Sequence, residues 1–152
     1  VRDLEPIVAK LRDVNARIWR HEKEARKYEL AFHCAQAKQY IDELNQKRAE
    51  LIQDLAGAID LAIPEAPPGT TSIPVTEHPA QAIDRLTIED LRAEEIEKRP
   101  DAADFLARFE RCREAREWLR LSIEQALLFA RKHKILLPKV RQNKLYNSEG
   151  WK

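Results

Sequence analysis

Between Leu30 and Ala62 the apolar residues return at alternating steps of four and three: Leu30, Cys34, Ala37, Ile41 and Leu44, then Leu51, Leu55, Ala58 and Ala62. That spacing keeps them on one face of a long α-helix. In the middle of the seam, where another apolar side chain is due, stands Arg48. A buried, unpaired charge costs several kcal/mol or more, so Arg48 is expected either to meet a buried carboxylate or to face a wet cavity. Asp42, Asn45 and Gln46 lie within two turns of it.

The same reading predicts three more helices. Leu4, Ile7, Leu11, Val14, Ile18 and Ala25 share a face, so a first helix is expected from about Leu4 to Lys27, with Pro6 tolerated in its first turn. Neither Gly nor Pro separates it from the second, and the antiparallel hairpin between them is inferred rather than read. Thr87 and Asp90 have the spacing of a loose capping box, which predicts a helix over about 88–98 with an earlier start open. Pro100 then punctuates, and Asp101 is the expected N-cap of a fourth helix to about His133. Its stripe, Phe105, Phe109, Cys112, Arg116, Leu119, Ile123, Ala126 and Ala130, carries a second seam arginine. Trp118, Leu121, Leu128 and Phe129 make this helix apolar nearly all round, so it is expected to be central or buried in a homodimer.

Five of the eight prolines fall between 64 and 79 together with Gly69, a stretch that cannot be helical and reads as an extended crossover. Two long and two shorter amphipathic helices joined by one long connection describe an all-α four-helix bundle, with residues 1–152 as one domain. After Pro138 the tail reads as loop.

Composition agrees with helices and narrows the chemistry. Charged residues make up 35% of the chain and glycine numbers only three, yet the net charge is +1. No global field therefore steers the protein toward nucleic acid, a membrane surface or an acidic partner. Cys34 and Cys112 each fall on an apolar stripe and are expected in the core; they form neither a zinc spacing nor a disulfide framework. No stretch approaches a membrane span and no signal-peptide core opens the chain, so a cytoplasmic location is expected by default. With Met absent and Val1 in first place, the native N-terminus is expected to be either missing or a valine start.

Most enzyme classes lack their residues here. Three glycines cannot build a phosphate loop or a dinucleotide fingerprint, and no His has a Glu three places before it, as a di-iron bundle requires. The serines lack a nucleophile-elbow context. Arg26 and His33 have the loose spacing of all-helical HEPN ribonucleases, but two residues of a solvated turn explain the pair as well. His21 with Glu22 and Glu24 is a poor metal set, because adjacent helical residues point apart. No cofactor and no metal are expected. Arg131, Lys132, Lys134, Lys139, Arg141 and Lys144 fall within fourteen residues that hold no acid. The first three can offset a helix dipole; the last three suggest a patch for a phosphate-bearing ligand.

The polar residues also follow an ordered pattern: Trp19, Glu22, Ala25-Arg26, Lys38, Ile41-Asp42, Asn45-Gln46-Lys47-Arg48, Ile59-Asp60, Asp84-Arg85-Leu86-Thr87-Ile88, Glu124-Gln125, and Gln142-Asn143-Lys144-Leu145-Tyr146-Asn147. In this order, over nearly the whole chain, the sequence resembles the bacterial family called domain of unknown function 4254. It departs from that pattern at Ala49-Glu50, at Ala126 where an Arg is usual, and at Glu77-His78-Pro79 in place of a glycine-containing turn. The resemblance implies a helical fold and a shared polar constellation, and no known reaction.

Together these readings lead to a helical-bundle protein that binds an anionic small molecule or a protein partner. Asp42, Asn45, Gln46, Arg48, Asp84, Arg85, Gln142, Lys144, Tyr146 and Asn147 are expected to converge on one polar pocket. Arg48 and Lys144 would hold the anion, Asn45 and Asn147 would orient it, and Asp42 and Asp84 would position the arginines. Two alternatives stay open: an enzyme acting on a phosphorylated or nucleotide-linked substrate, with Asp42, Asp84 or Tyr146 as acid or base, and a purely structural or interaction protein in which Arg48 fixes helix register.

Overall fold

A computed structural model describes residues 4–27 and 31–140. Four helices dominate: α1 (Glu5–Ala25), α2 (Ala31–Ala62), α3 (Pro79–Glu97) and α4 (Phe105–Arg131). Two short strands, β1 (Ile73–Pro74) and β2 (Ile135–Leu136), complete the architecture. The fold is an all-α bundle. Among the described residues no helix is long and apolar enough to cross a membrane.

The seam of α2 packs against the stripe of α1. Leu11 meets Leu55, Ala56 and Ile59, while Val14 and Ile18 cluster with Leu44, so higher positions on α1 face lower positions on α2 and the pair is antiparallel. Ala80 of α3 enters the first cluster beside Ala56, and side chains this small let two helices approach closely. A third cluster joins Ala93 and Ile96 of α3 to Cys112, Phe105 and Phe109 of α4. α3 is therefore the shared helix, touching α1 and α2 on one side and α4 on the other. The fourth helix is not central: it lies along α3 and leaves Trp118, Leu121, Leu128 and Phe129 in solvent.

Three local expectations are corrected. α3 takes the earlier start that the sequence left open, at Pro79, because His78 caps it. The His78 imidazole accepts from the Ala80 N–H at 3.0 Å, and the Gln81 side chain returns to the His78 N–H at 3.1 Å. Thr87 caps nothing; its hydroxyl donates to the Asp84 carbonyl one turn back. α4 starts at Phe105 after a turn that includes Asp101, so Asp101 is not its N-cap. Cys34 is exposed, whereas Cys112 is buried as expected. The α2 seam continues to Cys34 by periodicity, but the described apolar clusters on α2 begin only at Ile41.

The proline-rich crossover is extended and anchored. Its strand β1 pairs in parallel with β2, Ile73 opposite Ile135 and Pro74 opposite Leu136. Ser72 donates its hydroxyl hydrogen to the His133 carbonyl at 2.8 Å. His133 itself ends α4 at φ +55°, with Lys134 N–H reaching back to Phe129 and His133 N–H to Ala130. That is a Schellman cap, a position usually given to glycine.

Candidate functional site

Arg48 finds its carboxylate on α3. The guanidinium approaches Asp84 side on: Nε lies 3.0 Å from Oδ1 and 3.2 Å from Oδ2, and Nη2 lies 2.5 Å from Oδ2. Asn15 of α1 completes the arrangement by donating both amide hydrogens, one to Asp84 Oδ1 and one to the Thr87 hydroxyl, each at 2.8 Å. Thr87 passes its own hydrogen to the Asp84 carbonyl. Asp84 retains only 5% of its side-chain exposure and Arg48 28%. A buried carboxylate met by a guanidinium and an amide donor is tolerated; the same charge with a partner removed is not.

The elements explain why these four groups meet. Asn15 sits beside Val14 on the buried face of α1, Arg48 stands on the α2 seam, and Asp84 and Thr87 lie three apart on one face of α3. At the α3 N-terminus, six residues before Asp84, the buried His78 ring directs Nε2 at Asp60 of α2 over 3.1 Å. Because Nδ1 already accepts from a backbone N–H, Nε2 carries the hydrogen in this arrangement.

The second seam arginine behaves in parallel. Arg116 Nε lies 2.7 Å from Asp90 Oδ1, and Arg120 approaches the same oxygen at 3.9 Å. Thus α3 offers Asp84 to α2 and Asp90 to α4. Beside it, Cys112 Sγ lies 3.3 Å from the Glu89 carbonyl, and burial together with the Glu89 carboxylate pushes the thiol above its ordinary value. Glu95 is held below the usual carboxylate range by hydrogen bonds from Lys23 and Lys98.

The sequence-predicted residues divide. Arg48 and Asp84 come together. Asp42 and Asn45 are half-buried on α2, and Gln46 donates to Glu50 along the same helix at 2.9 Å. Arg85 points elsewhere: it is exposed, pairs with Glu77, and lines a groove of about 420 Å³ with Ala115 and Leu119 of α4. Gln142, Lys144, Tyr146 and Asn147 lie outside the described residues. Of the tail cations, Arg131, Lys132, Lys134 and Lys139 are exposed, and Arg141 with Lys144 lies outside. Arg26 and His33 are both exposed, near the end of α1 and the start of α2. His21 Nδ1 lies 3.5 Å from Glu24 and its ring lies tilted against Tyr40, centroids 5.0 Å apart.

Asn15 and His78 were missed as structural polar groups. The signal for Asn15 was present: a short amide beside Val14, on a helix whose other buried positions are Leu11, Val14 and Ile18. Among the described residues no buried side-chain nitrogen or oxygen lacks a hydrogen-bond partner, and no group of three His, Cys, Asp or Glu side chains is placed to hold a metal ion.

No curated protein and no solved structure matches this chain. The family model described as "Protein of unknown function (DUF4254)" matches residues 5–146, so the chain belongs to that family.

Proposed function

We propose that this protein is a helical interaction module rather than a catalyst, and that the Arg48–Asp84–Asn15–Thr87 cluster holds three helices in one register. The observation that carries the reading is the occupancy of Asp84: Arg48 and Asn15 claim both of its oxygens. A carboxylate whose two oxygens are both engaged by side chains from α1 and α2 suits a structural lock better than a group free to meet a substrate. An anion approaching the exposed edge of Arg48 would likewise compete with a bidentate, charge-assisted partner that is already in place.

The test is thermal and chemical unfolding of wild type beside Arg48→Leu, with and without inorganic phosphate, nucleotides and sugar phosphates. The expected result is a loss of about 3–5 kcal/mol in the variant and no ligand response in either protein. A wild-type shift with phosphate that disappears in Arg48→Leu would overturn the reading in favour of an anion-binding pocket.

A further inference from the structure

The outward face of α4 is the feature that the fold leaves unexplained. Phe105, Phe109 and Cys112 pack toward α3, with Arg116 bonded to it on the same side. A helix turns about 100° per residue, so Trp118, Leu121, Gln125 and Leu128 lie roughly opposite that contact, with Phe129 beside them. Trp118 is 72% exposed and Leu121 47%, and Leu128 and Phe129 are exposed with them. Single exposed hydrophobics are ordinary, but four on one stripe of one helix mark an interaction surface.

From Glu114 the stripe continues through Trp118, Leu121, Gln125 and Leu128 to Lys132, in steps of four, three, four, three and four. This is the spacing of a coiled-coil seam. Its ends carry opposite charges, and among the described residues neither Glu114 nor Lys132 forms an ion pair. We propose that the stripe is a homodimer interface, on which a second copy of this chain lays its own α4 antiparallel about a two-fold axis between Leu121 and Gln125.

The charge pattern selects both the partner and the direction. In the antiparallel register Trp118 packs on the partner's Leu128, Leu121 packs on the partner's Gln125, and Glu114 meets the partner's Lys132. Each contact occurs twice, as an isologous interface requires. A parallel pairing would set Glu114 beside Glu114 and Lys132 beside Lys132, which costs energy at both ends. Glu124 is the exception, since it lies near the axis and close to its own copy. A contact made by one helix from each chain is small, of order 1,200 Å² or less, so association is expected in the micromolar range. This inference supplies a partner for the interaction module proposed above and rests on that reading only for its biological sense.

Sedimentation over a concentration series up to millimolar chain tests it. Wild type is expected to approach twice the 17.7 kDa chain mass as concentration rises. Trp118→Asp is expected to weaken association about a hundredfold, because it removes the largest apolar side chain of the stripe from both copies at once. Glu114→Lys and Lys132→Glu should each weaken it about tenfold, and the double charge reversal should restore it. All three positions are exposed, and unchanged helical circular dichroism and unfolding midpoint would show that the variants fold. A wild type that stays monomeric throughout, or a dimer indifferent to Trp118→Asp, would overturn the interface. So would a double reversal no better than its single parents. Each of these failures leaves the stability effect of Arg48→Leu untouched, so the two proposals fail separately.

Discussion

Arg48 and Asp84, 36 residues apart in the chain, meet across the α2/α3 interface through three hydrogen bonds of 2.5 to 3.2 Å. The pair is lopsided, since the carboxylate is far more buried than the guanidinium. Removing either partner therefore has different consequences. Arg48→Leu leaves a buried carboxylate with only the Asn15 amide and should cost about 3–5 kcal/mol. Asp84→Ala leaves a guanidinium that can turn toward water and should cost less, about 2–3 kcal/mol. Urea unfolding of both variants and of the double variant checks the order, and the double variant should be more stable than the sum of the single losses implies.

Asn15 is the amide that ties α1 to this pair. Asn15→Leu fits the surrounding apolar stripe by size but removes both donors, leaving Asp84 and Thr87 short of a partner each. Unfolding should show a loss of about 1–3 kcal/mol despite the gain in hydrophobicity. A stabilised variant would mean that the amide is not needed for the lock.

His133 occupies the left-handed position of the α4 cap at φ +55°. A residue with a Cβ is strained there by about 1–2 kcal/mol, and glycine is not. His133→Gly gives back part of that gain by loosening the unfolded chain, so a net stabilisation of about 0.5–1 kcal/mol is expected, seen as a raised urea midpoint with an unchanged slope.

The two thiols should separate by reactivity. Cys34 is exposed and Cys112 is buried beside Glu89, so a neutral-pH thiol reagent is expected to modify one cysteine quickly and the second only on unfolding. Because the folded state raises the Cys112 value above its ordinary 9.0, the unfolded chain ionises first as pH climbs. The contribution of this thiol to stability is thus complete below pH 9 and is lost as pH rises through the raised folded value. Cys112→Ala should flatten that alkaline decline, measured as the unfolding free energy from pH 8 upward against wild type.

Periodicity carried the helical reading because burial on α1 and α2 follows the apolar stripes closely: Leu11, Val14, Ile18, Leu44, Leu55 and Ala58 are all buried. The same rule failed at Cys34, since a stripe records what a helix can bury and not whether a neighbour reaches that far. Arg48 was legible as an anomaly in its own helix. The α3 side of its pairing, Asp84, entered only through the ordered polar pattern, because it lies beyond a proline-rich connection and no local spacing rule spans such a gap. Asp84 and Arg85 are adjacent in sequence and looked like one site; successive helical residues point about 100° apart, and the structure sends them to opposite duties. The early start of α3 stayed open rather than fixed because histidine is an unusual cap, and its capping role depends on a ring nitrogen that could equally have donated.

The pairing of Ile73 with Ile135 closes a ring of chain around the α3/α4 hairpin. Each hairpin can form from neighbours in sequence, but this closure must gather residues about sixty positions apart, and such contacts are slow to find. The bundle is therefore expected to fold from its two helical hairpins toward the strand pair, with the clasp shutting last. Once shut, it ties the crossover to the far end of α4, so that prying α3 away from α4 means opening the clasp as well as the Asp90–Arg116 pair.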